Sequence, residues 1–123
     1  MSRSILVVDD EADVRTLAVM SLERVGGYRV RAAASGAECL AELASELPDV
    51  VLLDVMMPVM DGPTTLDAIR ANADARAVPV VFLTAGVVDA NLDRLRVLPV
   101  AGVLRKPFDP LSLPAELAQL LDW

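Results

Sequence analysis

Short apolar runs alternate along the chain with longer segments whose apolar residues recur at helical spacing. Five runs are typical of strands: Ser4–Val8, Tyr28–Ala32, Val50–Leu53, Pro79–Leu83 and Val103–Arg105. The third run has no polar alternation, which is typical of a strand buried on both faces. The second run alternates between polar and apolar residues, which predicts a half-buried or edge strand.

The segments between these runs have the apolar spacing of amphipathic helices. They are Glu11–Val25, Ser35–Leu47, Thr64–Asn72, Val88–Leu98 and Leu113–Trp123. Gly26 and Gly27 end the first helix. The second begins with a capping box from Ser35 to Glu38, and Pro114 suits the first turn of the last.

Strand–helix units in series predict an α/β fold, a doubly wound five-stranded parallel sheet with right-handed crossovers and helices on both faces. At 123 residues and 13.1 kDa, with 54% apolar residues, the chain suits one domain with an ordinary core. In an open parallel sheet the ligand site lies at the carboxyl ends of the strands.

Polar residues that could carry chemistry follow four of the predicted strands. Asp9 and Asp10 follow the first, Asp54 the third, Thr84 the fourth and Lys106 the fifth. Each has a common structural interpretation when taken alone: a helix cap, a loop carboxylate, a strand-end hydroxyl or a solvated lysine. At one edge of a sheet, however, they would converge from segments distant in sequence. Lys106 is also the single lysine among eleven basic residues.

Composition excludes several classes of function. The net charge of −7 disfavours binding to nucleic acid. With no histidine, the chain has no Ser–His–Asp triad, no histidine zinc site and no phosphohistidine of its own. A single cysteine, Cys39, excludes a thiolate metal cage and fits a reducing compartment. Apolar runs fall far short of the roughly 20 residues of a membrane span, and no secretory signal is visible. We therefore expect a cytoplasmic protein without membrane insertion.

Three neighbouring carboxylates repel one another, and their pKa values rise unless a cation neutralises them. A hard divalent ion such as magnesium, calcium or manganese accepts oxygen ligands of this kind. One carboxylate could then act as a nucleophile toward phosphorus and form an acyl phosphate. A lysine and a hydroxyl would stabilise charge on the transferred group. The set of residues indicates phosphoryl transfer to an aspartate.

Five motifs occur in order across almost the whole chain: Val7–Glu11, Leu53–Pro58, Met60–Gly62, Thr84–Ala85 and Lys106–Phe108. Through them the sequence resembles the receiver domain of bacterial two-component response regulators, in particular the single-domain chemotaxis receiver. The resemblance implies the flavodoxin-like strand order 2-1-3-4-5. We expect one receiver domain over residues 1–123 and no output domain.

The resemblance assigns roles at the acidic site. Asp54 corresponds to the phosphoacceptor, and Asp10 to a direct ligand of Mg²⁺, with Mn²⁺ an accepted substitute. Asp9 corresponds to a residue that holds a metal-bound water or lies nearby. The backbone carbonyl of Met56 corresponds to a further metal ligand.

The remaining motif residues concern the phosphoryl group and the backbone. Thr84 corresponds to the hydroxyl, and Lys106 to the cation, that engage the phosphoryl group. The resemblance also implies a cis Lys106–Pro107 bond, and Gly62 suits a turn in which a side chain would clash. The family commonly has an aromatic switch residue where this chain has Val103, so we expect a weakened coupling between the threonine and that position.

The partners follow from the same resemblance. Because the chain has no histidine, the phosphoryl donor is a separate sensor histidine kinase or histidine phosphotransfer protein, with the first helix as the family's usual docking surface. The downstream protein is unknown, and output passes through protein contact. After Lys106 the charged residues are all acidic, so the charge-paired dimer of DNA-binding regulators is not expected. We expect a monomer or weak dimer that signals and is not an enzyme.

Three alternatives remain. An aspartate-nucleophile phosphohydrolase needs a second Asp where Met56 stands. A flavodoxin needs a hydroxyl- and glycine-rich loop where Asp9–Glu11 follows the first strand. A receiver-like binding module without phosphorylation would not need the complete acidic, hydroxyl and lysine set that this chain has.

Overall fold

A computed structural model describes residues 3–85 and 99–123. Five strands form one sheet: β1 (Ser4–Val8), β2 (Arg29–Ala33), β3 (Val50–Asp54), β4 (Val80–Thr84) and β5 (Gly102–Arg105). All neighbours are parallel, and the order is β2-β1-β3-β4-β5. The predicted fold class and strand order are therefore confirmed. Strand β2 lies at the edge of the sheet, as predicted, but it begins at Arg29, one residue after the predicted start at Tyr28.

The described helices are α1 (Ala12–Met20), α2 (Gly36–Ser45), α3 (Gly62–Ala71) and α4 (Leu113–Leu121). A π-helical segment, Ser21–Val25, continues α1 to the predicted end of the first helix. Gly27 then adopts a φ of +74°, a conformation that glycine reaches without steric cost. The predicted helix over 88–98 lies outside the described residues.

Capping residues set the start of two helices. The Ser35 side chain accepts a hydrogen bond from the Glu38 amide, which confirms one half of the predicted capping box. The Glu38 carboxylate accepts from the Ala34 amide, one residue before the Ser35 amide that a capping box uses. Helix α3 begins two residues before its predicted start. Asp61 caps it by accepting a hydrogen bond from the Thr64 amide at 2.8 Å.

Helices cover both faces of the sheet, as predicted. On one face α2 and α3 pack against side chains that include Leu6, Val51 and Phe82. On the other face α1 and α4 pack against Ile5, Leu52 and their neighbours. The three central strands are buried throughout, which leaves the strand ends as the place where polar groups can meet. Among the described helices, none has the length and apolar character needed to cross a membrane.

Candidate functional site

The predicted polar residues meet at the carboxyl edge of the sheet. Asp54 and Thr84 are the last residues of β3 and β4, and Asp9 directly follows β1. Carboxylate oxygens of Asp9, Asp10 and Asp54 lie within 4.8 Å of one another. Lys106 directly follows β5, and its amide donates to the Thr84 carbonyl at 2.7 Å.

The ammonium of Lys106 stands among the carboxylates. Its Nζ lies 2.7 Å from Asp9 Oδ2, 3.2 Å from Asp54 Oδ1 and 3.5 Å from Glu11 Oε1. Burial disfavours the charged amine, but the close contact with Asp9 and the negative charges of Asp54 and Asp9 outweigh burial and raise the pKa of Lys106. Lys106 is therefore a charged, positioned cation and not a solvated lysine.

Asp54 is a perturbed acid. Burial, followed by the charge of Asp9, raises the pKa of Asp54 to about 6, although Lys106 opposes both effects. Asp54 is only 2% exposed to solvent. At neutral pH the carboxylate is mostly ionised, but its charge is held in an environment that favours an added proton or cation.

Two buried carboxylate oxygens lack a hydrogen bond within the described part of the chain: Asp9 Oδ2 and Asp54 Oδ2. Asp9 Oδ2 is instead paired with the ammonium of Lys106 at 2.7 Å. The opposite oxygens are engaged, because Asp9 Oδ1 accepts from the Glu11 amide at 2.9 Å and Asp54 Oδ1 from the Met56 amide at 3.4 Å. A buried anionic oxygen without a donor is costly, and a hard cation with oxygen ligands would satisfy it.

The third carboxylate, that of Asp10, is exposed, so the cluster opens to solvent. The side chain of Met56 is 74% exposed, and its backbone lies in the loop directly after Asp54. These donors are all oxygens, and a hydrated divalent ion could reach them from solvent. The residues present therefore fit magnesium or manganese by the chemistry of the donor set.

Two backbone features predicted for the site are present. The Lys106–Pro107 peptide bond is cis. A Cβ on Gly62 would lie 2.7 Å from the Asp54 carbonyl oxygen and 2.8 Å from Val55 Cα, so the expected clash is confirmed. The Gly62 amide also donates to the Val55 carbonyl at 2.8 Å. Glycine thus lets α3 begin directly against the end of β3.

The sequence predicts no individual role for three residues that make contacts at or beside the site. Glu11 contacts Lys106, Asp61 caps α3, and Arg15 donates from Nη1 to the Asp9 carbonyl at 2.8 Å. Asp61, placed two residues before Pro63, carries a visible helix-start signal. Nothing in the sequence distinguishes Arg15 from the other arginines, because its partner is a backbone carbonyl.

An apolar groove with a volume of about 380 Å³ adjoins the acidic cluster. It separates the first turns of α1 from the segment that follows β5. Its lining residues are Glu11, Val14, Leu17, Ala85, Lys106, Pro107 and Phe108. The groove therefore places the exposed face of α1 beside the carboxylates.

Comparison with known proteins agrees with this geometry. The profile of the response regulator receiver domain matches residues 5–118. Response regulator PleD of Caulobacter vibrioides is 43% identical over 124 residues, which cover 98% of this chain and 26% of that protein. Response regulator Rre1 of Synechocystis sp. is 39% identical over 118 residues, which cover 96% of this chain and 51% of that protein. The chain thus spans between about a quarter and a half of the length of these relatives.

Solved structures show the same fold. The chemotaxis protein CheY4 of Vibrio cholerae superposes with a TM-score of 0.88 at 31% identity, covering 98% of this chain and 99% of that chain. The BeF3-activated receiver domain of DrrB superposes with a TM-score of 0.83 at 26% identity over the full length of both chains. The chain belongs to the response regulator receiver domain family, the signalling domains of two-component phosphorelays.

Proposed function

We propose that Asp54 accepts a phosphoryl group from a phosphohistidine on a separate protein, in a magnesium-dependent reaction. One observation carries the proposal: the buried carboxylate at the end of β3 keeps Oδ2 without a hydrogen-bond donor among the described residues, while Lys106 holds Oδ1 at 3.2 Å. A carboxylate with one oxygen held and one oxygen free is oriented for nucleophilic attack.

The transfer needs no acid or base from this chain. An oxygen of Asp54 attacks phosphorus, an O–P bond forms, and the N–P bond of the donor breaks. The electron pair of that bond goes to the donor imidazole, which leaves neutral when its other nitrogen carries a proton. The product is an acyl phosphate on Asp54, so the absence of histidine from this chain is no obstacle.

The carboxylates of Asp9, Asp10 and Asp54 and the carbonyl of Met56 would hold the metal ion, with Asp9 acting directly or through a water. When bound, Mg²⁺ or Mn²⁺ supplies positive charge that neutralises the phosphoryl oxygens and the carboxylates. Support comes from the oxygen-only donor set, in which one oxygen of each carboxylate lies within 4.8 Å of the others.

Lys106 and Thr84 would stabilise the transferred group. Lys106 already contacts Asp54, so its ammonium needs little movement to reach a phosphoryl oxygen. Thr84 ends β4, the strand between those of Asp54 and Lys106, and its carbonyl is bonded to the Lys106 amide. This arrangement supports a hydroxyl and a cation acting on the same phosphoryl group.

We further propose a cytoplasmic signalling domain over residues 1–123 that is not an enzyme, beyond assisting its own phosphorylation and dephosphorylation. Receiver domains interact with histidine kinases or phosphotransfer proteins; the groove beside α1 supports a donor that docks there. The charged residues of α4 and its ends are acidic, which supports a monomer or weak dimer and output through contact with a downstream protein.

Intact-mass measurement after treatment with acetyl phosphate tests the acceptor. We expect one added phosphoryl group on the wild-type protein with Mg²⁺, and none after chelation. Asp54→Asn should gain none, whereas Asp67→Asn, which changes an exposed carboxylate on α3, should behave as wild type. A label on Asp9 or Asp10 in Asp54→Asn would refute the assignment.

A further inference from the structure

Arg15 reaches back from the first turn of α1 to the segment that follows β1. Its amide donates to the Glu11 carbonyl at 2.9 Å, as the helix requires. Its guanidinium Nη1 donates to the Asp9 carbonyl at 2.8 Å. The side chain is half-buried, so this contact is partly shielded from bulk solvent.

The Asp9 carbonyl belongs to the peptide group that joins Asp9 to the exposed Asp10. The Asp9 amide is still anchored to the sheet, because it donates to the Ala33 carbonyl at 3.1 Å. Beyond this bond the chain leaves β1 and turns into α1. A hydrogen bond to the Asp9 carbonyl restrains the plane of the Asp9–Asp10 peptide group, and that plane, together with the φ angle of Asp10, sets the direction in which the Asp10 side chain leaves the backbone.

A charged donor is well suited to this task. Hydrogen bonds from guanidinium are stronger than those between neutral groups, and the rigid fork loses little freedom when it binds. The guanidinium also brings a positive charge to the peptide group that joins Asp9 and Asp10. By Coulomb's law alone it would compete with a divalent cation and weaken metal binding. Orientation and charge therefore predict opposite effects when Arg15 is removed.

We infer that Arg15 is a positioning residue for the metal site: through the Asp9 carbonyl it holds the Asp10 carboxylate in the geometry that a divalent ion requires. The inference rests on the proposed function, because it concerns the same acidic cluster. Hydrogen-bonded supports of metal ligands commonly contribute about tenfold or more to metal affinity.

Calorimetric titration with MgCl₂ at fixed ionic strength separates the two effects. We expect Arg15→Met to weaken Mg²⁺ binding by about tenfold. Arg15→Lys keeps the charge but loses the planar fork, so its affinity should also fall. Arg24→Met is the matched control, because it removes an exposed arginine at the far end of the first helical segment and should leave the affinity unchanged.

The amide spectrum of the metal-free protein provides a second readout. Arg15→Met should shift the Asp10 and Glu11 amide resonances and speed their hydrogen exchange, whereas Arg24→Met should not. Unchanged or tighter Mg²⁺ binding in Arg15→Met would overturn the inference, because it would show that the hydrogen bond of Arg15 to the Asp9 carbonyl does not strengthen metal binding.

Failure of the proposed function would look different. If the wild-type protein bound no Mg²⁺, the metal site itself would be refuted, and with it the role of Arg15 toward a metal. The spectra of the metal-free variants would then still decide whether Arg15 orders the Asp10 backbone. An unchanged Asp10 resonance in Arg15→Met would reject that part as well.

Discussion

Lys106 Nζ lies 3.2 Å from Asp54 Oδ1, so the single lysine of the chain is paired with the carboxylate at the end of β3. Lys106 follows β5, and β4 lies between these two strands, so the side chain bridges the carboxyl edge of the sheet. The same ammonium contacts Asp9 at 2.7 Å. One cation therefore offsets the repulsion between two buried carboxylates, which leaves a residual negative charge for a metal ion.

The raised pKa of Asp54 predicts how stability depends on pH. The pKa of Asp54 is about 6 in the folded protein against an ordinary value of 3.8, so the folded state binds the proton more tightly. Ionisation of Asp54 therefore lowers the free energy of unfolding. This cost has its full size above about pH 6 and disappears as the pH falls toward 3.8. Without Mg²⁺, Asp54→Asn should be more stable than wild type by about 1–3 kcal/mol at pH 7.5.

Urea unfolding at pH 7.5 and pH 5 in the presence of a chelator measures this difference. The advantage of Asp54→Asn should shrink at the lower pH, because the wild-type carboxyl becomes protonated there. Asp67→Asn, at an exposed position, should show no such pH-dependent gap. An equal gap at both pH values would show that the stabilisation has another cause.

Asp10→Ala should separate metal affinity from stability. The substitution removes an exposed member of the cluster of three carboxylates. We expect Mg²⁺ and Mn²⁺ binding to be lost, while the metal-free protein becomes slightly more stable because like-charge repulsion is relieved. Calorimetry and urea unfolding check the two effects. Trp123 is a poor probe, because it packs on Tyr28 and Arg3, away from the carboxyl edge.

Gly62→Ala should destabilise the protein. The new Cβ would lie 2.7 Å from the Asp54 carbonyl oxygen and 2.8 Å from Val55 Cα, which are main-chain atoms that cannot rotate away. Overpacking of this kind costs about 1–3 kcal/mol. The midpoint of urea unfolding should fall, whereas Thr64→Ala, an exposed change in the same helical turn, should have a small effect. Equal midpoints for the two variants would contradict the clash.

Val59 should be a site of stabilising substitution. It has a φ of +69° and a fully exposed side chain, so a β-branched residue bears backbone strain there without a packing gain. Val59→Asn should raise the free energy of unfolding by about 1 kcal/mol, because asparagine tolerates the left-handed region. Val59→Ala removes the branching but not this strain. An asparagine variant no more stable than the alanine variant would disprove the explanation.

The response to phosphorylation should be small around Val103. Val103 pairs in register with Phe82 and is half-buried against the core. A ligand shifts an equilibrium only by its differential interaction with the two states, and a valine that barely relocates supplies little. Amide shifts of residues 99–108 on adding beryllofluoride and Mg²⁺ should be modest, and larger in Val103→Tyr.

One outcome would contradict that prediction. Large shifts across residues 99–108 in the wild-type protein would show that an aromatic ring is not needed. Phe82 is a poor substitute reporter, because it is fully buried in the core. Residues 86–98 lie outside the described part of the chain, so the spectra are the direct measure of any change there.

The sequence by itself determined the strands, the order of the helical segments and the polar residues at the strand ends. Apolar runs and helical spacing are local properties, so Val50–Leu53 could be predicted as a central strand without its neighbours. Parallel connections then required Asp9, Asp54 and Lys106 to meet at one edge. The sheet order came from the resemblance, and the structure has the same order.

Tertiary structure alone decided how the charges are shared. The sequence indicates that three carboxylates and a lysine converge, but not that Lys106 contacts Glu11 as well as Asp9 and Asp54. Nor does it indicate that Arg15 binds the Asp9 carbonyl. Such contacts depend on distances of a few ångströms between loops, which are set by packing of the whole core. The raised pKa of Asp54 has the same origin, because burial and neighbouring charge exist only in the folded protein.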